Sequence, residues 1–269
     1  MSAARAAAAP SLHGAVAVVL GAGSGPAGVG NGAAIACTYA AAGATVVVGD
    51  IDLAAAETTV ELIAAAGDKA AAARVDVTSS GSLTALAEDV TSGHGRVDVL
   101  HNNVGISRLG SPPELSEDDW RLVIDTNLTG VFLACRAFLP GMRAAARGRI
   151  VNTSSVAGAV YTGYDYSAYY AAKAGLNHFT RTLAVQLAPD GVRVNAVLPG
   201  MIDTPLVYRQ LSGAHPSVED MVAERNRSVP LGRMGSVWEV ASAALFLASD
   251  SSTYITGVCL AVDGGLSVR

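Results

Sequence analysis

Short runs rich in valine alternate along this 269-residue chain with longer alanine-rich stretches, and that alternation restricts the architectures open to it. The apolar runs at 15–20, 44–49, 71–75, 97–101, 149–153, 192–197 and 257–262 read as seven strands. Such strands have no polar face to show water, so both of their faces must be covered. Helical stretches near 32–42, 53–66, 80–92, 116–146, 167–188 and 236–248 lie between them and supply the cover. The pattern predicts an α/β fold, a doubly wound parallel sheet of seven strands with helices on both faces. Ser116, with Asp119 three residues on and Glu117 and Asp118 between, marks a helix start. No linker or composition break divides the chain, which predicts one domain over 13–269 after a frayed tail at 1–12. The long connection 199–235, rich in Arg, Pro and Ser, predicts a substrate lid at about 200–230.

Charge and composition exclude several function classes. A net charge of −5 and a pI near 5.5 argue against nucleic-acid or anionic-membrane surfaces. No basic run or membrane-length apolar stretch is read from the sequence. Cys37, Cys135 and Cys259 lie far apart without CxxC spacing, which fits small buried side chains in a reducing compartment and a cytoplasmic location. His101 and His178 lack ligand spacing, so no metal is expected. His13, His94 and His215 read as tail, turn or loop residues.

The first strand runs into Gly21-Ala-Gly-Ser-Gly-Pro-Ala-Gly-Val-Gly-Asn-Gly32 and then into a helical alanine run. Glycines let backbone approach a pyrophosphate, and the helix start behind them offers free N–H groups. Asp50 closes the second strand, where a carboxylate would accept from both adenine-ribose hydroxyls and repel a 2′-phosphate. Ile51 follows it, where no arginine welcomes that phosphate. The expected cofactor is NAD rather than NADP. Gly21, Gly30 and Gly32 are the preferred phosphate-loop glycines, with Gly28 as a further candidate.

Tyr169 and Lys173 stand at i and i+4 on one helix face. An ammonium close to a phenol favours the phenolate, so this tyrosine is expected to exchange a proton nearer neutral pH than usual. Only Lys69 and Lys173 among the 18 basic residues are lysine. Five of the eight tyrosines fall between 161 and 170. Besides Tyr169, these are Tyr161, Tyr164, Tyr166 and Tyr170; they line a substrate pocket, stack a ligand or pack an interface. Asp165 in that segment is read as a turn residue, with acceptance from a substrate hydroxyl as the alternative.

Several motifs appear in a fixed order. They are Asp76-Val77, Asn102-Asn-Val104-Gly105, Asn127 within Asp-Thr-Asn-Leu-Thr-Gly, Ile150-Val-Asn-Thr-Ser-Ser155 and Tyr169-x-x-x-Lys173. Arg193-Val-Asn-Ala-Val-Leu-Pro199-Gly200, Met-Ile202-Asp-Thr204, Pro230-Leu-Gly-Arg-Met-Gly and Ala261-Val-Asp-Gly-Gly follow. With the glycine loop, this series resembles the short-chain dehydrogenase/reductase family of single-domain, roughly 250-residue type, from about Ala15 to Leu266. Leu20 departs from the family's threonine, the glycine loop is longer than the common form, and the Ser155–Tyr169 interval is slightly long.

The resemblance implies a Rossmann-type fold and an oxidoreductase interconverting a secondary alcohol or hydroxy compound and its ketone. It implies a catalytic set of Asn127, Ser155, Tyr169 and Lys173. Ser155 would bond the substrate oxygen, Tyr169 would exchange its proton, Lys173 would hold the nicotinamide ribose, and Asn127 would hold a relay water. Asp76 with Val77 would bind the adenine amino group, and Asn103, Val104 and Gly105 would lie under the cofactor. Pro199, Gly200, Ile202 and Thr204 would grip its nicotinamide. A homotetramer is implied, with the fourth and fifth helices and the C-terminal segment at interfaces. An NADPH-dependent reductase of 3-oxoacyl thioesters and a non-catalytic dinucleotide-binding regulator of the same fold are the competing readings.

Overall fold

In the computed structural model, which describes residues 9–211 and 217–269, the apolar runs form one parallel sheet. Its strands are β1 (Val16–Leu20), β2 (Thr45–Asp50), β3 (Ala70–Arg74), β4 (Val99–Asn102), β5 (Gly148–Thr153), β6 (Val192–Pro199) and, after two short strands, β9 (Cys259–Val262). Their order is β3-β2-β1-β4-β5-β6-β9, all parallel. Burial explains the composition: Val18, Val46, Val48 and Val99 are fully enclosed, so a polar side chain at these points would be stranded.

Helices α1 (Asn31–Ala41), α2 (Leu53–Ala65) and α9 (Val237–Ala248) cover one face, and α3 (Ser80–His94), α5 (Gly130–Ala144) and α6 (Ser167–Leu187) the other. The sheet grows outward in both directions from between β1 and β4, which opens a crevice at the strands' C-terminal ends. Leu20, Asp50 and Asn102 end three of those strands at this crevice.

The stretch expected as one helix at 116–146 is a continuous rod with a fault in it. Ser116 caps α4 (Glu117–Ile124), accepting from Asp119 N at 3.0 Å, as the sequence pattern indicates. Residues Asp125–Thr129 then wind as a π-helical turn before α5. The rod Glu117–Ala144 is, by length and composition, apolar enough to cross a membrane, which corrects the expectation that no such stretch exists. Its Val123, Val131, Ala134, Phe138 and Met142 pack inside the molecule, as a core helix does.

Two further helices, α7 (Pro205–Leu211) and α8 (Val218–Ser228), occupy the predicted lid. Two-residue strands β7 (Ile202–Asp203) and β8 (Gly235–Ser236) pair in parallel and clamp its ends together. His215 lies outside the described residues, as do residues 1–8 of the expected tail. Leu12, at the end of that tail, is instead a core residue, 2% exposed, with its N–H donating to the Ala42 carbonyl.

Candidate active site

A cleft of about 1120 Å³ opens at the C-terminal ends of the strands. It is lined by Gly21, Gly28, Gly30, Gly32, Asp50, Ile51, Asp76, Val77, Asn103, Val104, Gly105, Ser155, Tyr169, Lys173, Pro199, Gly200, Ile202 and Thr204. Of the site residues expected from sequence, Asn127 alone does not face it; Asn127 is fully buried behind Gly105.

The glycine loop divides into constrained and open positions. Gly21 turns with φ +75°, and a Cβ there would stand 2.7 Å from the Val104 backbone nitrogen. A Cβ on Gly32 would overlap the Gly21 carbonyl oxygen and lie 2.5 Å from Asn103 Nδ2. Asn103 locks the same joint by donating from Nδ2 to that carbonyl at 2.8 Å. Gly30 has nothing within 4 Å, and Gly28 meets only Pro205. The sequence reading missed Gly23, whose N–H donates to Asp50 Oδ2 at 2.8 Å and whose Cβ would strike that carboxylate. Helix α1 begins behind this loop with no side-chain cap and no acid in its first turn. Its uncapped N–H groups and positive dipole end suit an anion. Close backbone approach, this helix end and an acid at the tip of β2 together fit a dinucleotide.

Around Asp50 and Asp76 the carboxylates are partly engaged. Asp50 Oδ1 accepts from Asp52 N at 3.2 Å. Asp76 accepts from the Thr78 hydroxyl at 2.7 Å and its N–H at 2.9 Å, and these bonds hold its carboxyl below its usual pKa. No arginine follows Asp50 in the sequence, but strand pairing brings one near this corner. Arg74, opposite Asp50 in the β2–β3 register, donates from Nε to the Ile51 carbonyl at 3.3 Å.

The reactive end is built on β5 and α6. Lys173 is 2% exposed, and its Nζ donates to the Thr153 carbonyl at 3.0 Å while lying 5.5 Å from the Tyr169 ring centroid. Burial pushes its amine down to about 8. Tyr169 differs from expectation. Its phenol is not drawn toward neutrality; burial pushes it up to about 12, with the Ser155 hydroxyl pulling the other way. Desolvation of the phenolate is the largest influence on it. The two serines that follow β5 make different contacts. Ser154 is buried and its hydroxyl donates to the Lys173 carbonyl at 3.3 Å, whereas Ser155 reaches Tyr169 and accepts from Ala157 N at 3.1 Å.

Asn127 sits in the π-helical turn and donates from Nδ2 to both Ile106 O and Val123 O at 2.8 Å. The extra residue of a π turn frees backbone carbonyls and re-aims a side chain, and such turns recur at functional sites. Its Oδ1 is buried without a hydrogen-bond partner among the described residues. A Cβ on Gly105 would lie 3.0 Å from that oxygen and 3.5 Å from Lys173 Nζ, so amide and amine face one small space. His101 is explained structurally: its ring nitrogens bond Tyr39 OH at 2.9 Å and Thr153 Oγ1 at 2.8 Å, and burial lowers it to about 3.

The tyrosine cluster splits. Tyr164 and Tyr166 line the cleft, with the Tyr166 ring 5.9 Å from the Tyr169 ring. Tyr170 is a packing residue, accepting from Thr162 N and donating to the Tyr164 carbonyl, and Tyr161 is 69% exposed against it. The segment expected as a lid lines this end with Leu206, Val207 and Arg209 from α7 and Arg225 from α8.

Comparison with known proteins agrees with this geometry. A family model described as enoyl-(acyl carrier protein) reductase matches residues 26–267. The chain is similar to a cis-4-hydroxycyclohexanecarboxylate dehydrogenase from Sinomonas cyclohexanicum, 44% identical over 93% of this chain and 95% of that one. It is also similar to a 3-oxoacyl-[acyl-carrier-protein] reductase from Thermotoga maritima, 38% identical over 96% and 99% of the two chains. A crystal structure of a short-chain dehydrogenase/reductase from Burkholderia xenovorans superposes with a TM-score of 0.93 at 43% identity, covering 96% of this chain and 98% of that one. With near-complete coverage from sequence and structure alike, the chain belongs to the short-chain dehydrogenase/reductase family and is an oxidoreductase acting on CH–OH groups.

Proposed function

We propose that this oxidoreductase uses NAD to interconvert a secondary alcohol and its ketone, with Tyr169 exchanging the hydroxyl proton. The supporting observation is the meeting of Tyr169, Ser155 and Lys173 in the same cleft as the glycine loop. When bound, the dinucleotide supplies a hydride acceptor or donor at its nicotinamide. Everything else falls to the chain.

Ser155 holds the substrate oxygen beside the phenol and donates to charge developing on it. In oxidation the Tyr169 phenolate takes the hydroxyl proton as the carbinol C–H bond breaks; in reduction the phenol returns it. Lys173 stabilises the phenolate by its charge and has donors left over from Thr153 for ribose hydroxyls. Asn127 offers its Oδ1, an acceptor without a partner among the described residues, in the space shared with Lys173 Nζ, where it would hold a water that relays the proton from the amine. Thr204 and the backbone of Pro199–Ile202, which line the cleft, would hold the nicotinamide end.

NAD is preferred because Asp50 presents a carboxylate where NADP would bring a phosphate. Arg74 favours the second reading, an NADPH-dependent reductase of 3-oxoacyl thioesters, since it could swing from the Ile51 carbonyl toward that phosphate. A homotetramer is the proposed assembly, checked by light scattering during size-exclusion chromatography. The reading of Tyr169 is tested by Tyr169→Phe, which should retain NADH binding and lose at least about 100-fold in turnover of secondary alcohols, the low end for general acid–base catalysis. Unchanged turnover in a folded, cofactor-binding variant would dismiss it.

A further inference from the structure

The lid carries a charge that the reaction as described does not use. Helix α8 turns two residues inward, one turn apart: Met221, fully enclosed, and Arg225, 5% exposed. A buried guanidinium ordinarily sits against a carboxylate, because desolvating it alone is costly. None of the ion pairs among the described residues includes Arg225. Its Nε donates to the Met234 sulfur at 3.2 Å, a weak acceptor, and the residue lines the cleft.

Its position in the cleft is at the reactive end. Tyr166, Met221, Val207 and Tyr208 form an apolar cluster there with the edge of Tyr169. The phenols of Tyr166 and Tyr208 both feel the Arg225 charge, and the Tyr166 ring lies 5.9 Å from that of Tyr169. The guanidinium therefore lines the same cleft as the proton-exchanging phenol, next to the tyrosines that pack against it. Arg209, exposed at the rim of the same cleft, adds a second positive charge at its entrance.

We infer that Arg225 is the anion anchor of the substrate pocket, and that the substrate is a hydroxy acid or oxo acid. Its apolar body would lie against Tyr166 and Val207, with a carboxylate on Arg225 and the reacting oxygen at Ser155 and Tyr169. This rests on the alcohol–ketone reading of the site and adds its substrate class. The planar guanidinium, its Nε turned to Met234, keeps its terminal pair of NH2 groups, an edge that matches a carboxylate in geometry as well as charge. The neutral acyl chain of a thioester would leave that charge unpaired.

Two measurements on the NAD-loaded protein test this. In calorimetry, cyclohexanecarboxylate should bind at least about 30-fold more tightly than cyclohexanecarboxamide, the lower end for one partner of a buried charge pair. In NAD-coupled turnover, cis-4-hydroxycyclohexanecarboxylate should be preferred to its methyl ester. Arg225→Met should bring both acid-to-neutral ratios close to one, and Arg225→Lys should restore part of them. Should the methionine variant not fold, Arg225→Gln replaces it with the same expectation. Equal binding of acid and amide by the unsubstituted protein, or ratios that survive the loss of the guanidinium, would overturn the assignment. Turnover of neutral alcohols without a preference for acids would discard the anchor and keep the dehydrogenase. Acid-selective binding without turnover of any alcohol would do the reverse.

Discussion

Gly32→Ala isolates the joint on which the dinucleotide seat is built. The added methyl has no room, since it would overlap the Gly21 carbonyl oxygen and lie 2.5 Å from Asn103 Nδ2. Both neighbours are fixed, the first as backbone and the second by its 2.8 Å bond to that carbonyl. Overpacking against rigid partners costs about 3 kcal/mol, the upper part of the usual range. Alanine in place of glycine in the first turn of α1 returns about 1 kcal/mol of helix propensity. The net loss is about 2 kcal/mol, which for a chain of this size lowers Tm by about 4–8 °C. Pushing α1 away from the loop should also remove at least one charge-assisted N–H contact to phosphate, about 1.5–3 kcal/mol, or about 10- to 150-fold in Kd. Gly30→Ala is the control, because nothing lies within 4 Å of that position; it should cost under about 1 kcal/mol of stability. Scanning calorimetry and NADH fluorescence titration read both quantities. If Gly32→Ala melted and bound NADH as the unsubstituted protein does, the wedge between α1 and Gly21 would be refuted.

Asp50→Ala should reduce the preference for NADH over NADPH by at least about tenfold, through lost ribose bonds and lost repulsion of the 2′-phosphate. It should also lower stability, since Gly23 N loses its acceptor; competitive titration of both cofactors checks the first effect, and an unchanged ratio would show that Asp50 does not face the ribose. The pH profile follows from burial. A phenol raised to about 12 is protonated at neutral pH, so oxidation, which needs the phenolate, should accelerate about tenfold per unit of rising pH from 6 to 8. Above the Lys173 value of about 8 the cation fades and the slope should flatten, while ketone reduction should be fastest at low pH. A flat oxidation profile over that range would contradict a tyrosine base.

The strands were legible because a valine run enclosed on both faces, as Val46–Val48 are, tolerates few alternatives. The cleft was legible where chemistry demands a residue type: a glycine where α1 touches Gly21, an acid at the end of β2, an amine one turn from a phenol. What the sequence hid depends on third parties. Asp125–Thr129 has nothing in its composition to distinguish a π turn from an α turn, since the winding is decided by where Asn127 must reach. Arg74 is distant in sequence from Ile51 and meets its carbonyl only through strand pairing. Arg225 reads as one more charge on a polar helix, and its burial comes from the packing of α8 over Tyr166. The Tyr169 pKa likewise follows from how much water the fold removes, which i, i+4 spacing does not encode.

The most direct test is an ultraviolet difference titration of the Tyr169 phenol, taken as the unsubstituted protein minus Tyr169→Phe, with and without NAD. Without NAD, the phenol should ionise well above its ordinary value of about 10. Saturation with the positively charged pyridinium form should lower it, because a cation beside the ring favours the phenolate. A Tyr169 signal that titrates like a free tyrosine, and does not move when the dinucleotide binds, would contradict a buried phenol acting beside the cofactor.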